Sequence, residues 1–258
     1  MTTGPPLLIT SRDNPLLQRL RKLNHGGGSY RKLGKVWIEG EHLCAALRSR
    51  GLPAGQAVVS EEAWADPALR DLAAWAAKVV VVPGSVFAAV SALESPAAIG
   101  FLIDTPTAPA IEPLAASLVL DRVQDAGNVG SMLRSAAAFG VRQVLALTGT
   151  AALWSPKVLR AGMGAHFGLR MAEGLDEAAL SVLRVPMVAT SPHAALSLPH
   201  AQLPSPCAWV LGHEGQGVSA SLLQGCALQV RIPQPGGEES LNVAAAAAVC
   251  LYESARLG

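Results

Sequence analysis

The 258-residue sequence predicts an α/β protein of two domains, and three observations carry that reading. The length suits two domains of roughly 100–200 residues each. Half of the residues are hydrophobic and 15% are charged, which is enough apolar material for real cores. Short β-rich runs alternate with helical ones on both sides of a break that contains Pro106, Pro109 and Pro113. The break divides the chain into a first domain of residues 1–105, a proline-rich linker of 106–116 and a second domain of 117–258.

In the first domain residues 14–24 read as a basic amphipathic helix, followed by a strand at 35–39, a helix at 41–50 and a strand at 57–60. A helix near 67–77, a strand at 79–82, a short helix after Gly84 and a strand at 99–103 complete a small α/β sandwich with four β-rich runs. His25-Gly26-Gly27-Gly28-Ser29-Tyr30 reads as a flexible loop, either a plain linker or bare backbone able to approach a phosphate.

The second domain gives stronger signals. Residues 117–121 (SLVLD) form a buried-type strand, 128–139 a helix closed by Gly140, and 143–148 the next strand. Residues 155–162 are helical, with Ser155 as N-cap and Pro156 in the first turn. Further strands fall at 169–172, 187–190, 209–212 and 228–232, and 241–254 makes a long apolar helix. The alternation implies a mostly parallel sheet with helices on both faces, whose ligands bind beyond the carboxyl ends of the strands.

Several classes are excluded. Low hydrophobicity and high net charge keep a chain disordered, and this chain has neither. Its longest apolar run, 243–252, is ten residues where a membrane span needs about 20. No basic residue precedes the Leu7-Leu8-Ile9 patch, so no secretory signal is expected and the protein reads as cytoplasmic. Cys44, Cys207, Cys226 and Cys250 fall singly, as buried reduced thiols do, and the six histidines lack ligand spacing, so no metal site is expected. Gly162-Met163-Gly164-Ala165-His166-Phe167-Gly168 has one residue too many for G-x-G-x-x-G and follows a helix; neither a P-loop nor G-x-S-x-G occurs.

Net charge is +1, but residues 1–40 hold seven Lys or Arg against two acids. Such a segment either steers a polyanion or is simply a solvated helix face.

Three segments stand out. In 120–134 (LDRVQDAGNVGSMLR), Asn128 at a helix start and Arg134 about two turns on offer an amide and a guanidinium to one ligand; alternatively Asn128 caps the helix and Arg134 covers its outside. In 210–218 (VLGHEGQGV) a strand runs into glycines around Glu214; a tight turn explains the glycines but not the acid. In 232–243 (IPQPGGEESLNV) Ser240 is placed to cap the last helix, and Asn242 in its first turn needs a partner.

Taken in order, N-x-G-x-x-x-R, L-G-x-E-G-x-G and I-P…E-S-L-N-V resemble the three signature motifs of the SpoU (TrmH-type) branch of the SPOUT RNA methyltransferases. Residues 155–161 and 164–167 also look familial, and residues 10–103 resemble the family's substrate-binding domain through Ser11-Arg12-Asp13-Asn14-Pro15 and Glu39-Gly40-Glu41. The resemblance implies a C-terminal domain closed by a deep trefoil knot, homodimers formed through it, and methyl transfer from S-adenosylmethionine to a ribose 2′-hydroxyl of tRNA or rRNA. It places the adenine against Thr190, Leu211, Gly212, Gly217, Ile232 and Leu241. Arg134 is then the catalytic arginine, with Asn128, Glu214, Ser240 and Asn242 orienting it and the ribose. His213 is a departure, since the family more often has a small polar residue there. With 4% aromatics, RNA contacts are expected from cations rather than stacking: Arg12, Arg19, Arg21, Lys22, Arg31, Lys32 and Lys35. The rival expectation is an RNA-binding protein of the same fold that has lost catalysis.

Overall fold

The computed structural model describes residues 5–236 and 240–257. They form two compact units: residues up to Thr107 together with Trp154–Phe167, and Ala108–Leu153 together with the chain from Gly168 onward.

The first unit is built on β1 (Leu7–Leu8), α1 (Pro15–His25), α2 (Ser29–Leu33), β2 (Lys35–Glu39), α3 (Glu41–Ser49), β3 (Gln56–Ser60), α4 (Glu61–Ala65), α5 (Pro67–Ala73), β4 (Lys78–Val82), α6 (Gly84–Ala88) and β5 (Ile99–Asp104). Its sheet runs β1-β4-β3-β5-β2, with β5 antiparallel to both its neighbours. The sheet therefore has five strands where the sequence indicated four. The extra one, two residues long at the edge, is too short for an alternating pattern to register. Helix α1 starts where Asn14 accepts from the Leu16 N–H at 2.9 Å and Pro15 fixes φ. Its buried stripe is Leu17, Leu20 and Leu23, and the other face carries Arg19 and Lys22. The expected glycine loop is shorter than predicted, because Ser29 and the buried Tyr30 already belong to α2.

The second unit contains β6 (Ser117–Leu120), α7 (Ala126–Ala138) and β7 (Gln143–Leu147). Helix α8 (Pro156–Gly162), capped by Ser155 as expected, belongs with the first unit. There follow β8 (Arg170–Leu175), β9 (Met187–Thr190), β10 (Ala208–Leu211), α9 (Ala220–Gly225), β11 (Leu228–Val230) and α10 (Val243–Leu257). Six parallel strands lie in the order β11-β9-β10-β6-β7-β8. Val119, Leu145, Ala189 and Val210, together with Val218 and Leu222 from the segment after β10, fill one core cluster. Phe139 at the end of α7 meets Tyr252 of α10 edge to face, and Trp209 donates to Ser254 at 2.8 Å.

This order has a switch point between β6 and β10. From β6 the chain winds outward through β7 and β8, then returns to the other side through β9 and β10. Leu120 and Leu211 are paired in register at the two carboxyl ends. Here the loops after β6 and β10 are tied together, the Asp121 N–H donating to the Leu211 carbonyl at 2.8 Å.

Two caps differ from the sequence reading. Helix α7 begins at Ala126, and its cap is Asp125, which accepts from the Asn128 N–H at 2.8 Å. The Asn128 side chain is thereby released from capping. Ser240 does not cap the last helix; Asn242 does, its Oδ1 accepting from Ala244 at 2.9 Å and Ala245 at 3.2 Å. The four cysteines are free thiols, Cys226 half-buried and the others buried. Burial pushes Cys226 up to about 11 and Cys250 to about 12, which leaves no activated thiolate among them. No helix among the described residues is long and apolar enough to cross a membrane.

Candidate active site

A cavity of about 350 Å³ lies beyond the carboxyl ends of β9, β10 and β11, between the segments that follow them. Of the predicted residues, Thr190, Gly212, Glu214, Gly217, Ile232, Ser240 and Leu241 line it. Leu211 lies beneath it: its side chain is in the core and its carbonyl accepts from the Asp121 N–H at 2.8 Å.

The three motif segments meet through one hydrogen-bonded chain. Asn242 Nδ2 donates to Asn128 Oδ1 at 2.9 Å, and Asn128 Nδ2 donates to Glu214 Oε1 at 3.1 Å. Glu214 also accepts from the backbone N–H of Asp125 at 3.0 Å and of Gln124 at 3.2 Å. The acid that a turn alone left unexplained therefore ties the β10 loop to the start of α7. Partial burial raises its pKa, but the Asn128 amide and the backbone N–H groups of Asp125, Glu214 and Gln124 outweigh this and hold it at about 2. The sign follows directly. Since the folded value lies below the ordinary 4.5, these bonds stabilise fully above that value and are lost as pH falls from there toward 2. Glu214→Gln should flatten the acid limb of stability across that window. At neutral pH it should lose only about 1 kcal/mol, because the side chain is exposed; urea unfolding at stepped pH checks both.

The loop is shaped by a tight reversal. His213 and Gly217 exchange backbone hydrogen bonds at 3.0 and 2.8 Å, and Gly217 takes a φ of +68°. His213 Nδ1 accepts from the N–H of Gly215 at 2.9 Å and of Gln216 at 3.2 Å. The ring thus performs the turn-closing task that a small polar side chain performs in other turns.

Arg134 is exposed on α7, outside the cavity lining, and makes no hydrogen bond or ion pair with the described residues. It stands six residues after Asn128, about 9 Å along the helix and a third of a turn round it. The predicted RNA contacts divide. Arg12, Arg19, Lys22 and Lys32 are exposed, and Arg31 is exposed over the Tyr30 ring at 5.4 Å. Arg21 is spent on the carbonyls of Arg12 at 2.8 Å and Ala89 at 3.3 Å, and Lys35 pairs with Asp104 at 2.5 Å. Asp121, Arg122, Gln216 and Ser219, which sequence reasoning passed over, form further ties behind the loop. Their only sequence signal was a charged pair directly after a buried strand.

The cavity fits S-adenosylmethionine in its chemistry. Ile232, Leu241 and Val243 supply apolar surface for a purine, glycine backbone allows close approach, and the ionised Glu214 at the rim favours a cationic donor. Comparison with known proteins agrees. The model of the SpoU rRNA Methylase family matches residues 115–252. An uncharacterized tRNA/rRNA methyltransferase of Synechocystis sp. is 34% identical over 96% of this chain and 93% of its own. The 23S rRNA (guanosine(2553)-2′-O)-methyltransferase RlmP of Bacillus subtilis is 32% identical over 95% of this chain and 97% of its own. The crystal structure of an AdoMet-bound rRNA methyltransferase from Sinorhizobium meliloti superposes with a TM-score of 0.87 at 25% identity, covering 98% of this chain and 99% of that one. Fold and site together define an RNA methyltransferase that uses S-adenosylmethionine. The chain belongs to the SpoU rRNA methylase family.

Proposed function

We propose that the protein methylates a ribose 2′-hydroxyl of ribosomal RNA. The observation that carries the reading is the chain Asn242–Asn128–Glu214, which ties the three motif segments to one another beside the cavity that Glu214 lines. The names of its relatives, among them 23S rRNA guanosine 2′-O-methyltransferases, support the choice of ribosomal over transfer RNA.

Bound S-adenosylmethionine supplies a methyl group on a sulfonium. The chain's task is to align the ribose oxygen with it and to stabilise charge as that oxygen sheds its proton to solvent. Arg134 grips the adjacent phosphate and the 2′-oxygen; a guanidinium keeps its proton in proteins, so it acts as an electrostatic clamp rather than as the base. Asn128, Ser240 and Asn242 orient the ribose, while Glu214 fixes Asn128.

The reading includes a knotted C-terminal segment. Its support is the strand order, in which β10 inserts between β6 and β9 and the chain then passes to β11 before α10 packs on α7. It also includes a cytoplasmic location and a homodimer through the second unit, the dimer supported by the exposed Val249 and Tyr252 of α10 and checked by light scattering.

Methyl transfer from labelled S-adenosylmethionine to ribosomal and transfer RNA, followed by ribose-methylation mapping, tests the assignment. RNA binding without methyl transfer would favour the non-catalytic reading. The exposed cations of α1 give a second expectation: Arg19→Ala/Lys22→Ala should raise KM for RNA about tenfold. It should also reduce the salt slope of binding by about 2, leaving S-adenosylmethionine affinity unchanged.

A further inference from the structure

Behind the 213–219 loop the carboxylate of Asp121, 2% exposed at the end of β6, accepts three hydrogen bonds. Arg122 gives two of them as a fork, Nε to Oδ1 at 2.8 Å and Nη2 to Oδ2 at 3.1 Å; the Ser219 N–H gives the third at 2.7 Å. The remaining arm of the guanidinium, Nη1, donates to Gln216 Oε1 at 3.0 Å. Two neighbouring residues thus hold the turn that walls the cavity at its tip, Gln216, and where the chain leaves it, Ser219.

The backbone of Arg122 shows what this arrangement demands. Consecutive side chains along a strand point to opposite faces, yet Arg122 must fold back onto Asp121. It does so at a φ of +58°, a left-handed conformation that costs a residue with a Cβ about 1–2 kcal/mol. Gly149 clears the way for the stem: a Cβ there would lie 3.0 Å from Arg122 Cγ. Glycine would occupy position 122 without strain, so an arginine held there points to a compensating role. A lysine, with no planar fork, cannot serve Asp121 and Gln216 together.

We infer that Arg122 is a positioning residue for the cofactor, locking the 213–219 turn in its binding conformation through Asp121 and Gln216. The inference rests on the cavity being the S-adenosylmethionine site.

The test uses the full chain, isothermal titration with S-adenosylmethionine and steady-state kinetics. Arg122→Gly removes the clamp and relieves the backbone strain but leaves the buried Asp121 carboxylate without its cation, so a merely structural arginine would lower Tm while leaving S-adenosylmethionine affinity unchanged. The expected result is a Kd and a KM for S-adenosylmethionine raised about tenfold, with kcat at saturating cofactor within about twofold, measured well below the melting temperature of the variant. Arg122→Lys should recover only part of the affinity. A Kd for Arg122→Gly within twofold of the parent overturns the role of Arg122 alone. So does a kcat at saturating cofactor that falls as far as the affinity, which marks general collapse of the site. A parent protein that binds no S-adenosylmethionine overturns the cavity assignment itself.

Discussion

An alanine at position 212 is expected to abolish S-adenosylmethionine binding and to lower Tm by roughly 6–12 °C. Gly212 leaves β10 where the returning limb of the turn crosses it. A Cβ would sit 2.1 Å from the Gly217 carbonyl carbon, 2.2 Å from Val218 N and 2.3 Å from Gly217 O. All three are backbone atoms, so no side chain can swing aside. The returning limb is also fixed on both sides of the clash, by the His213–Gly217 hydrogen-bond pair and by the Ser219 N–H on Asp121. Relief requires the limb to move as a whole, and overpacking of this kind costs up to about 3 kcal/mol, the source of the Tm shift for a chain of this size. Because the same limb walls the cavity, the lost stability and the lost affinity have one cause. Gly27→Ala, which meets nothing within 4 Å, serves as the control and should be neutral. Calorimetric melting and cofactor titration read both quantities, and near-normal affinity in the alanine variant would refute the crossing.

Where neighbouring residues agree locally, the sequence was readable. The buried strands Ser117–Leu120, Gln143–Leu147 and Ala208–Leu211 are continuous apolar runs with turn residues at their ends, and they fold as their pattern indicates. Caps were read less well, because several polar residues stand near each helix start and only backbone geometry decides among them. Asp125 precedes Asn128 as cap, and Asn242 displaces Ser240. These two differences change the chemistry. An Asn128 engaged in capping would have turned its Oδ1 to backbone N–H groups instead of to the Asn242 amide, and Asn242 both starts α10 through its own Oδ1 and reaches Asn128 through Nδ2. Other features were illegible because they arise only from contacts distant in sequence. Arg122 meets Gln216 ninety-four positions later, and nothing local marks its left-handed backbone. In the same way helical spacing placed Arg134 about two turns beyond Asn128 but left open whether it joins the site or covers the outside of the helix; it is exposed and outside the cavity lining.

That outward position bears on the last expectation, that Arg134→Ala lowers kcat by about 10²–10³ while leaving S-adenosylmethionine affinity unchanged. A residue that lines no part of the cavity should not alter cofactor binding. A guanidinium with no partner among the described residues remains available to an incoming polyanion. Its effect should therefore appear in the chemical step and in RNA affinity, not in cofactor titration or Tm. Arg134→Lys separates the two ways such a residue can act. An ordinary lysine loses its proton near pH 10.4, so a role as proton acceptor predicts full recovery in alkali. A bidentate clamp predicts the reverse, because deprotonation removes the remaining charge and a single ammonium cannot hold phosphate and 2′-oxygen in one plane. Partial activity at neutral pH that falls as pH rises is the result expected. Rate measurements at saturating cofactor across that range decide the matter, since cofactor binding then drops out of the comparison.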